Sequence, residues 1–79
     1  SMETEERWTK AVADKLVGKE IVSVSYMSEE TAKEWGWYSR PIQIDLSDGH
    51  QLLISKDDEG NDGGSIFTSY EDLSTIPTI

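Results

Sequence analysis

Alternating apolar and polar residues in the middle of the chain predict a β-hairpin. Apolar residues occupy every second position from Ile42 to Leu46, the turn formers Ser47 to Gly49 follow, and a second apolar run comes next. A three-residue loop would pair Ile44 with Leu52 and place the apolar residues of both strands on one face. It would also put Gly49 at a left-handed backbone position, where a Cβ atom is costly. We predict this register in preference to a two-residue turn.

Helical spacing of apolar residues marks the N-terminal segment. Trp8, Val12 and Leu16 recur every four residues. Glutamates cluster at the start of the segment, where they favour the positive end of a helix dipole. The pattern predicts an amphipathic helix over residues 5–17, with Trp8 in the core.

Two elements are predicted between this helix and the hairpin. Residues 19–27 are rich in β-branched residues and alternate in polarity, which predicts a strand with Val22, Val24 and Tyr26 facing the helix. Ser28 then has the character of a helix cap. It predicts a short helix over residues 29–35 that ends at Gly36.

The last part of the chain predicts short extended pieces. Residues 65–68 suit a strand that returns antiparallel to residues 52–55, and residues 69–73 suit a turn or one helical turn. Residues 74–79 are extended, and Pro77 limits them to a sheet edge or to no sheet at all.

The order of these elements predicts an α+β fold. We expect a small twisted antiparallel sheet of four to five strands with the N-terminal helix packed on one face. We interpret Ser1 as a cloning remnant and predict one domain over residues 2–79. A chain of 79 residues buries little surface and has no cysteine for a disulfide, so a homo-oligomer would be one source of added stability.

Charge narrows the choice of partner. The chain has 7 basic and 16 acidic residues, a formal net charge of −9. This balance argues against nucleic acid and anionic membranes and favours a basic protein partner or a cation. No apolar run approaches the ~20 residues that span a bilayer, and the N-terminus has no signal-peptide character, so we expect a cytoplasmic protein.

An acidic, glycine-rich segment follows the hairpin. It contains four carboxylates within six residues: Asp57, Asp58, Glu59 and Asp62. Such oxygen-rich loops can bind calcium, although the spacing fails the EF-hand pattern at its glycine and at its last glutamate. The alternatives are a solvated turn bonded to its own backbone and a charged surface for a basic partner.

Aromatic residues crowd the segment before the hairpin. They are Trp35, Trp37 and Tyr38, with Arg40 beside them. Aromatic rings and arginine dominate the energetic centres of protein interfaces. A recognition role is one interpretation, and a cap over the open end of the sheet is the other.

The second half of the chain resembles a class of short, uncharacterised bacterial proteins. The resemblance lies in Gly36-Trp37, Arg40-Pro41, Leu46, Asp48-Gly49, the run Asp57-Asp58-Glu59-Gly60-Asn61, and Gly64. It implies no activity. It implies that the aromatic and acidic segments belong together.

No combination of residues predicts catalysis. His50 is the single histidine, and a serine–histidine–aspartate set at the hairpin tip would lack an oxyanion hole and protection from water. We therefore predict a non-enzymatic interaction or regulatory module without a cofactor. Its partner surface would combine the aromatic and acidic segments, which both lie at the open end of the hairpin. Mimicry of nucleic-acid charge is one version of this hypothesis, and calcium binding through the acidic segment is the alternative to it.

Overall fold

The computed structural model describes residues 2–79 and contains two helices, a short 3-10 helix and five strands. The elements are α1 (Met2–Leu16), β1 (Ile21–Tyr26), α2 (Glu29–Trp35), β2 (Ile42–Leu46), β3 (Gln51–Leu53), β4 (Ile66–Phe67), the 3-10 helix (Glu71–Leu73) and β5 (Thr75–Ile76). One antiparallel sheet has the order β1-β2-β3, and β4 pairs with β5 in a second antiparallel sheet. The predicted α+β class is confirmed, with the five strands divided between two sheets.

The β2–β3 hairpin has the predicted register. Ile44 lies opposite Leu52, and the Leu46 amide donates to the His50 carbonyl at 2.8 Å. Gly49 has a φ of 86°, the left-handed conformation that a three-residue loop requires. The alternation of apolar residues and the turn residues therefore select the same pairing.

Helix α2 also begins and ends where the sequence predicts. The Ser28 hydroxyl accepts a hydrogen bond from the Thr31 amide at 3.1 Å, which satisfies a free donor of the first turn. Gly36 ends the helix with a φ of 73°. The next amide, that of Trp37, donates to the Ala32 carbonyl at 2.8 Å and turns the chain back toward the helix.

The buried core lies beside α2. Met27, Ala32 and Trp37 form one buried cluster, with Leu53 packed against it. Pro41, the residue that leads into β2, is also fully buried. The centre of packing is therefore the junction of β1, α2 and the entry to the hairpin.

Helix α1 begins three residues earlier than predicted, and the prediction that Trp8 belongs to the core is wrong. Within Met2–Leu16 no residue is buried, and the Trp8 side chain is 68% exposed. The helix approaches the sheet at its C-terminal end, where Leu16 is half-buried and lines a cleft with Leu46 and Leu52. Helical spacing shows which residues share a face, but it does not show what covers that face.

The prediction that Val22, Val24 and Tyr26 face the helix is wrong for the two valines, because both are more than half exposed. Tyr26 is half-buried, and its hydroxyl donates to the Pro77 carbonyl at 2.9 Å. A third correction concerns residues 65–68. Their strand, β4, pairs with β5 instead of residues 52–55. The edge beyond β3 is occupied by the Gly64 amide, which donates to the Ile54 carbonyl at 2.8 Å.

Among residues 2–79 no helix has the length and apolar character needed to cross a bilayer.

Candidate functional site

Residues 57–62, here called the acidic loop, form a closed hairpin-like turn. Ser55 and Gly63 form an isolated antiparallel bridge at its base, and the Lys56 amide donates to the Asp62 carbonyl at 3.0 Å. The Ser55 hydroxyl donates to the Asp57 carbonyl at 2.7 Å and, across the neck, to the Asp62 carbonyl at 3.2 Å. The loop is therefore tied across its neck by the main chain and by one side chain.

Asp57 shapes the inside of the acidic loop. Its carboxylate accepts hydrogen bonds from the Asn61 side-chain amide at 2.8 Å, the Asn61 backbone amide at 3.2 Å and the Glu59 amide at 3.1 Å. These donors stabilise the ionised form, so they hold the pKa of Asp57 below its ordinary value, with the Asn61 side chain contributing most. Asp57 therefore matches one of the alternatives given for this segment, a turn in which the side chain bonds to its own nearby backbone.

Asp62 joins the acidic loop to the aromatic loop, the name used here for residues 36–40. Its Oδ1 atom accepts from the backbone amides of Ser39 at 2.8 Å, Tyr38 at 3.0 Å and Gly63 at 2.8 Å. The Ser39 amide contributes most to holding the pKa of Asp62 below its ordinary value, and the Gly63 amide follows. One carboxylate thus satisfies two amides of the other loop.

Trp37 makes the second connection between the loops. Its indole Nε1 donates to the Gly60 carbonyl at 2.7 Å, while the ring is only 8% exposed. Trp35 contacts it edge to face, with ring centroids 5.0 Å apart and ring planes at 88°. Trp37 is therefore a core residue that anchors the acidic loop, and Trp35, at 51% exposure, shows half of its surface to solvent.

Gly63 allows the two loops to approach closely. A Cβ atom on this residue would lie 2.7 Å from the Pro41 Cδ atom and would also collide with the Ser39 carbonyl oxygen. Any larger residue would therefore have to push the base of the acidic loop away from the aromatic loop.

Arg40 is mainly structural. Its Nη1 atom donates to the Met27 carbonyl at 3.1 Å, and the residue is half-buried. Its backbone also exchanges two hydrogen bonds with Ile79, at 2.8 and 3.1 Å. The guanidinium is therefore tied to the core instead of reaching freely into solvent.

An open groove of about 630 Å³ runs beside the aromatic loop. Its walls come from α2, from the aromatic loop and from Ile79, and they include Glu29, Lys33, Tyr38 and Arg40. Tyr38 is 95% exposed, the largest exposure of any large apolar or aromatic residue in the described part of the chain. A partner side chain could enter this groove and contact the tyrosine ring.

The eight residues that the sequence predicts for a partner surface are all on elements that the loop contacts bring together. Four of them make hydrogen bonds that hold the loops in place: Trp37, Arg40, Asp57 and Asp62. The other four are exposed or half-exposed: Trp35, Tyr38, Asp58 and Glu59. Within residues 2–79, the carboxylates of Asp58 and Glu59 accept no hydrogen bond that would occupy them.

Sequence reasoning did not identify Gly63, Ile79 or the two charged residues of α2 as parts of this region. The adjacent glycines Gly63 and Gly64 are a signal of close backbone approach, although they do not show what approaches. The contributions of Glu29, Lys33 and Ile79 depend on the tertiary fold and leave no local pattern.

No arrangement of metal ligands was found in the described part of the chain. Among residues 2–79 no group of three or more histidine, cysteine, aspartate or glutamate side chains is placed to hold an ion. Asp57 and Asp62 already accept hydrogen bonds from backbone amides. The calcium alternative stays a prediction without geometric support.

No protein-family model matches this chain, and no curated protein or solved structure is significantly similar to it. The resemblance to short bacterial proteins therefore stays a prediction. The fold and the site define a small acidic α+β domain with two loops joined side by side, and functional inference has to start from that surface.

Proposed function

We propose that this chain is a small non-enzymatic protein-interaction or regulatory module that binds a basic protein segment through its aromatic and acidic loops. The observation that carries the proposal is the Asp62 bridge. Asp62 accepts hydrogen bonds from the backbone amides of Tyr38 and Ser39 and so fixes the acidic loop against the aromatic loop. Tyr38 itself stays 95% exposed beside an open groove.

The surface is organised before any partner arrives. Three contacts hold the backbone of both loops: the hydrogen bonds that Asp62 accepts, the hydrogen bond that the Trp37 indole donates, and the Ser55–Gly63 bridge. A surface that needs no ordering on binding loses less conformational entropy, which favours affinity. Tyrosine suits such a site, because it offers a large ring and a hydroxyl at the cost of only two side-chain torsions.

Charge selects the partner. Asp58 and Glu59 expose their carboxylates on the loop that contacts Trp37 and the Tyr38 backbone. Since the whole chain carries a formal charge of −9, a lysine- or arginine-containing segment would be attracted from a distance and an acidic one repelled. Nucleic acid would be repelled for the same reason. We further propose a cytoplasmic location, in which a chain without cysteine needs no disulfide.

Selection from a random peptide library tests the proposal. The folded chain is used as bait, and the affinity of selected peptides is measured by calorimetry. We expect sequences that combine lysine or arginine with an apolar or aromatic residue. Tyr38→Ala and the double variant Asp58→Asn/Glu59→Gln should each weaken binding at least about 10-fold, the equivalent of about 1.4 kcal/mol.

Matched controls come from the same chain. Tyr70 is 69% exposed, and Glu71 and Asp72 are exposed acids next to it. Tyr70→Ala and Glu71→Gln/Asp72→Asn should leave the affinity unchanged. Selected peptides without basic residues, or peptides that tolerate both loop variants, would contradict the proposal.

A further inference from the structure

Helix α1 presents an apolar stripe that nothing in the described part of the chain covers. Trp8 is 68% exposed, Val12 48% and the adjoining Val17 76%. The stripe borders an open groove that also includes Ala11, Leu16 and Leu52 of β3. A helix of 15 residues is only marginally stable in water without packing on one face. The Lys10–Asp14 ion pair is exposed and has its base N-terminal to its acid, so it adds little and does not replace that packing.

The whole molecule exposes more surface than a folded chain of its size. Its accessible area is 6286 Å², whereas a compact monomer of 8.9 kDa would expose about 4,800 Å². The excess of about 1,500 Å² is larger than the roughly 800 Å² that each partner contributes to a standard interface. The radius of gyration agrees, because 14.1 Å exceeds the roughly 12 Å expected for 79 residues.

Charge favours a second copy of this chain as the partner at α1. Residues 2–19 contain four acids and four bases, namely Glu3, Glu5, Glu6 and Asp14 against Arg7, Lys10, Lys15 and Lys19. They sum to zero, so the whole formal charge of −9 falls on residues 20–79. Repulsion between two copies is therefore weakest at α1. A neutral segment is also a poor match for an anionic membrane, which amphipathic helices bind through basic polar faces.

The order of residues along the stripe is self-complementary. Glu5, Trp8, Val12 and Lys15 are spaced by three, four and three residues, the repeat of a helix–helix seam. If two copies pack antiparallel about a two-fold axis that crosses the seam at the level of residue 10, Trp8 of one copy faces Val12 of the other. The same register places Glu5 opposite Lys15 at both ends of the seam.

We propose that the chain forms an isologous homodimer in which two α1 helices pack antiparallel along the Glu5–Trp8–Val12–Lys15 seam, each lying in the groove between the partner's α1 and β3. The dimer covers the apolar stripe and provides the packing that α1 lacks in the single chain. It uses a surface other than the aromatic and acidic loops, so each proposal can fail without the other.

Sedimentation velocity from about 1 to 300 µM protein tests the dimer. The wild-type chain should reach twice the mass of 8.9 kDa within this range. Trp8→Glu should weaken dimerisation at least about 10-fold, because it places a charge at the centre of an apolar contact. Phe67→Glu is the control, since Phe67 is 83% exposed on β4, outside the seam, and its replacement should leave the dimer unchanged.

Charge reversal keeps the test valid if Trp8→Glu disturbs the helix itself. Glu5→Lys and Lys15→Glu should each weaken the dimer, and the double variant should restore it to within about 3-fold of wild type, because opposite charges face each other again. Both changes oppose the helix dipole, so damage to the helix alone would add up in the double variant instead of cancelling. A double variant weaker than either single variant, a wild-type monomer at the highest concentration, or a dimer unaffected by Trp8→Glu would contradict the proposal.

Discussion

Asp62 is one of two side chains that connect the loops of the proposed binding surface, and the Trp37 indole is the other. Its Oδ1 atom accepts three backbone amides, two of which belong to the aromatic loop. Hydrogen bonds to a charged acceptor are stronger than neutral ones. The sequence identifies Asp62 as one of four acids in the acidic loop, but the composition alone does not separate it from Asp58. The difference arises from the Tyr38 and Ser39 amides, which are distant in sequence.

Replacing Asp62 by alanine should separate the loops without unfolding the chain. The amides of Tyr38 and Ser39 lose their acceptor, so their hydrogen exchange should accelerate by at least about 10-fold as local opening becomes easier. Asp58→Ala is the matched control and should leave these amides protected, because the Asp58 carboxylate is exposed. Equal exchange rates in the two variants would mean that Asp62 does not hold the loops.

Acid should loosen the same contacts. The pKa values of Asp57 and Asp62 lie below the ordinary value of 3.8 in the folded chain, because amide donors stabilise their ionised forms. Between the two pKa values the unfolded chain binds more protons than the folded chain. The stability that these groups contribute is therefore complete at a pH above their pKa in the unfolded chain, and it is lost as the pH falls through their lower pKa in the folded chain.

Urea unfolding measured between pH 7 and pH 2.5 checks this sign. The urea concentration at the wild-type unfolding midpoint should decrease once the pH is below about 4. The midpoint of the double variant Asp57→Asn/Asp62→Asn should decrease less over the same pH range. Some pH dependence should remain, because the pKa values of Asp45 and Asp48 are also lowered. The same slope in both proteins would contradict the assigned role of the two carboxylates.

At the scale of the elements, local signals were sufficient for α2 and for the hairpin. Ser28 and Gly36 mark the ends of α2, and the alternation around Gly49 fixes the hairpin register, because each of these features depends on residues close in sequence. The pairing of β4 could not be predicted in this way. It depends on which distant edge is free, and the Gly64 amide already occupies the Ile54 carbonyl. For α1, the periodicity predicted the helix, but no local pattern in the sequence shows what packs against its apolar stripe.

The connection from α2 into the aromatic loop should carry much of the fold's stability. Trp37→Ala removes a buried ring and the donor to Gly60, and it should cost about 3–5 kcal/mol. Trp35→Ala is the matched control; since the Trp35 ring is half-exposed, its removal should cost clearly less. Urea unfolding of both variants gives the comparison. Similar losses would show that burial does not distinguish the two tryptophans.

The molecule as a whole has two separate surfaces with different properties. One is the acidic end, where the aromatic and acidic loops meet beside a groove. The other is the neutral α1 stripe, which accounts for part of the excess exposed area of a chain measuring 37 × 29 × 27 Å. A homodimer through α1 would leave both copies of the loop surface open, so the module would be bivalent toward a repeated or dimeric partner.

Amide chemical shifts during titration with a selected basic peptide test the central claim most directly, namely that the two loops form one binding surface. We predict that the largest shifts fall together in residues 35–40 and 57–63 and follow a single binding curve. Shifts concentrated on α1, β4 or β5, or shifts in one loop that leave the other unchanged, would contradict the claim.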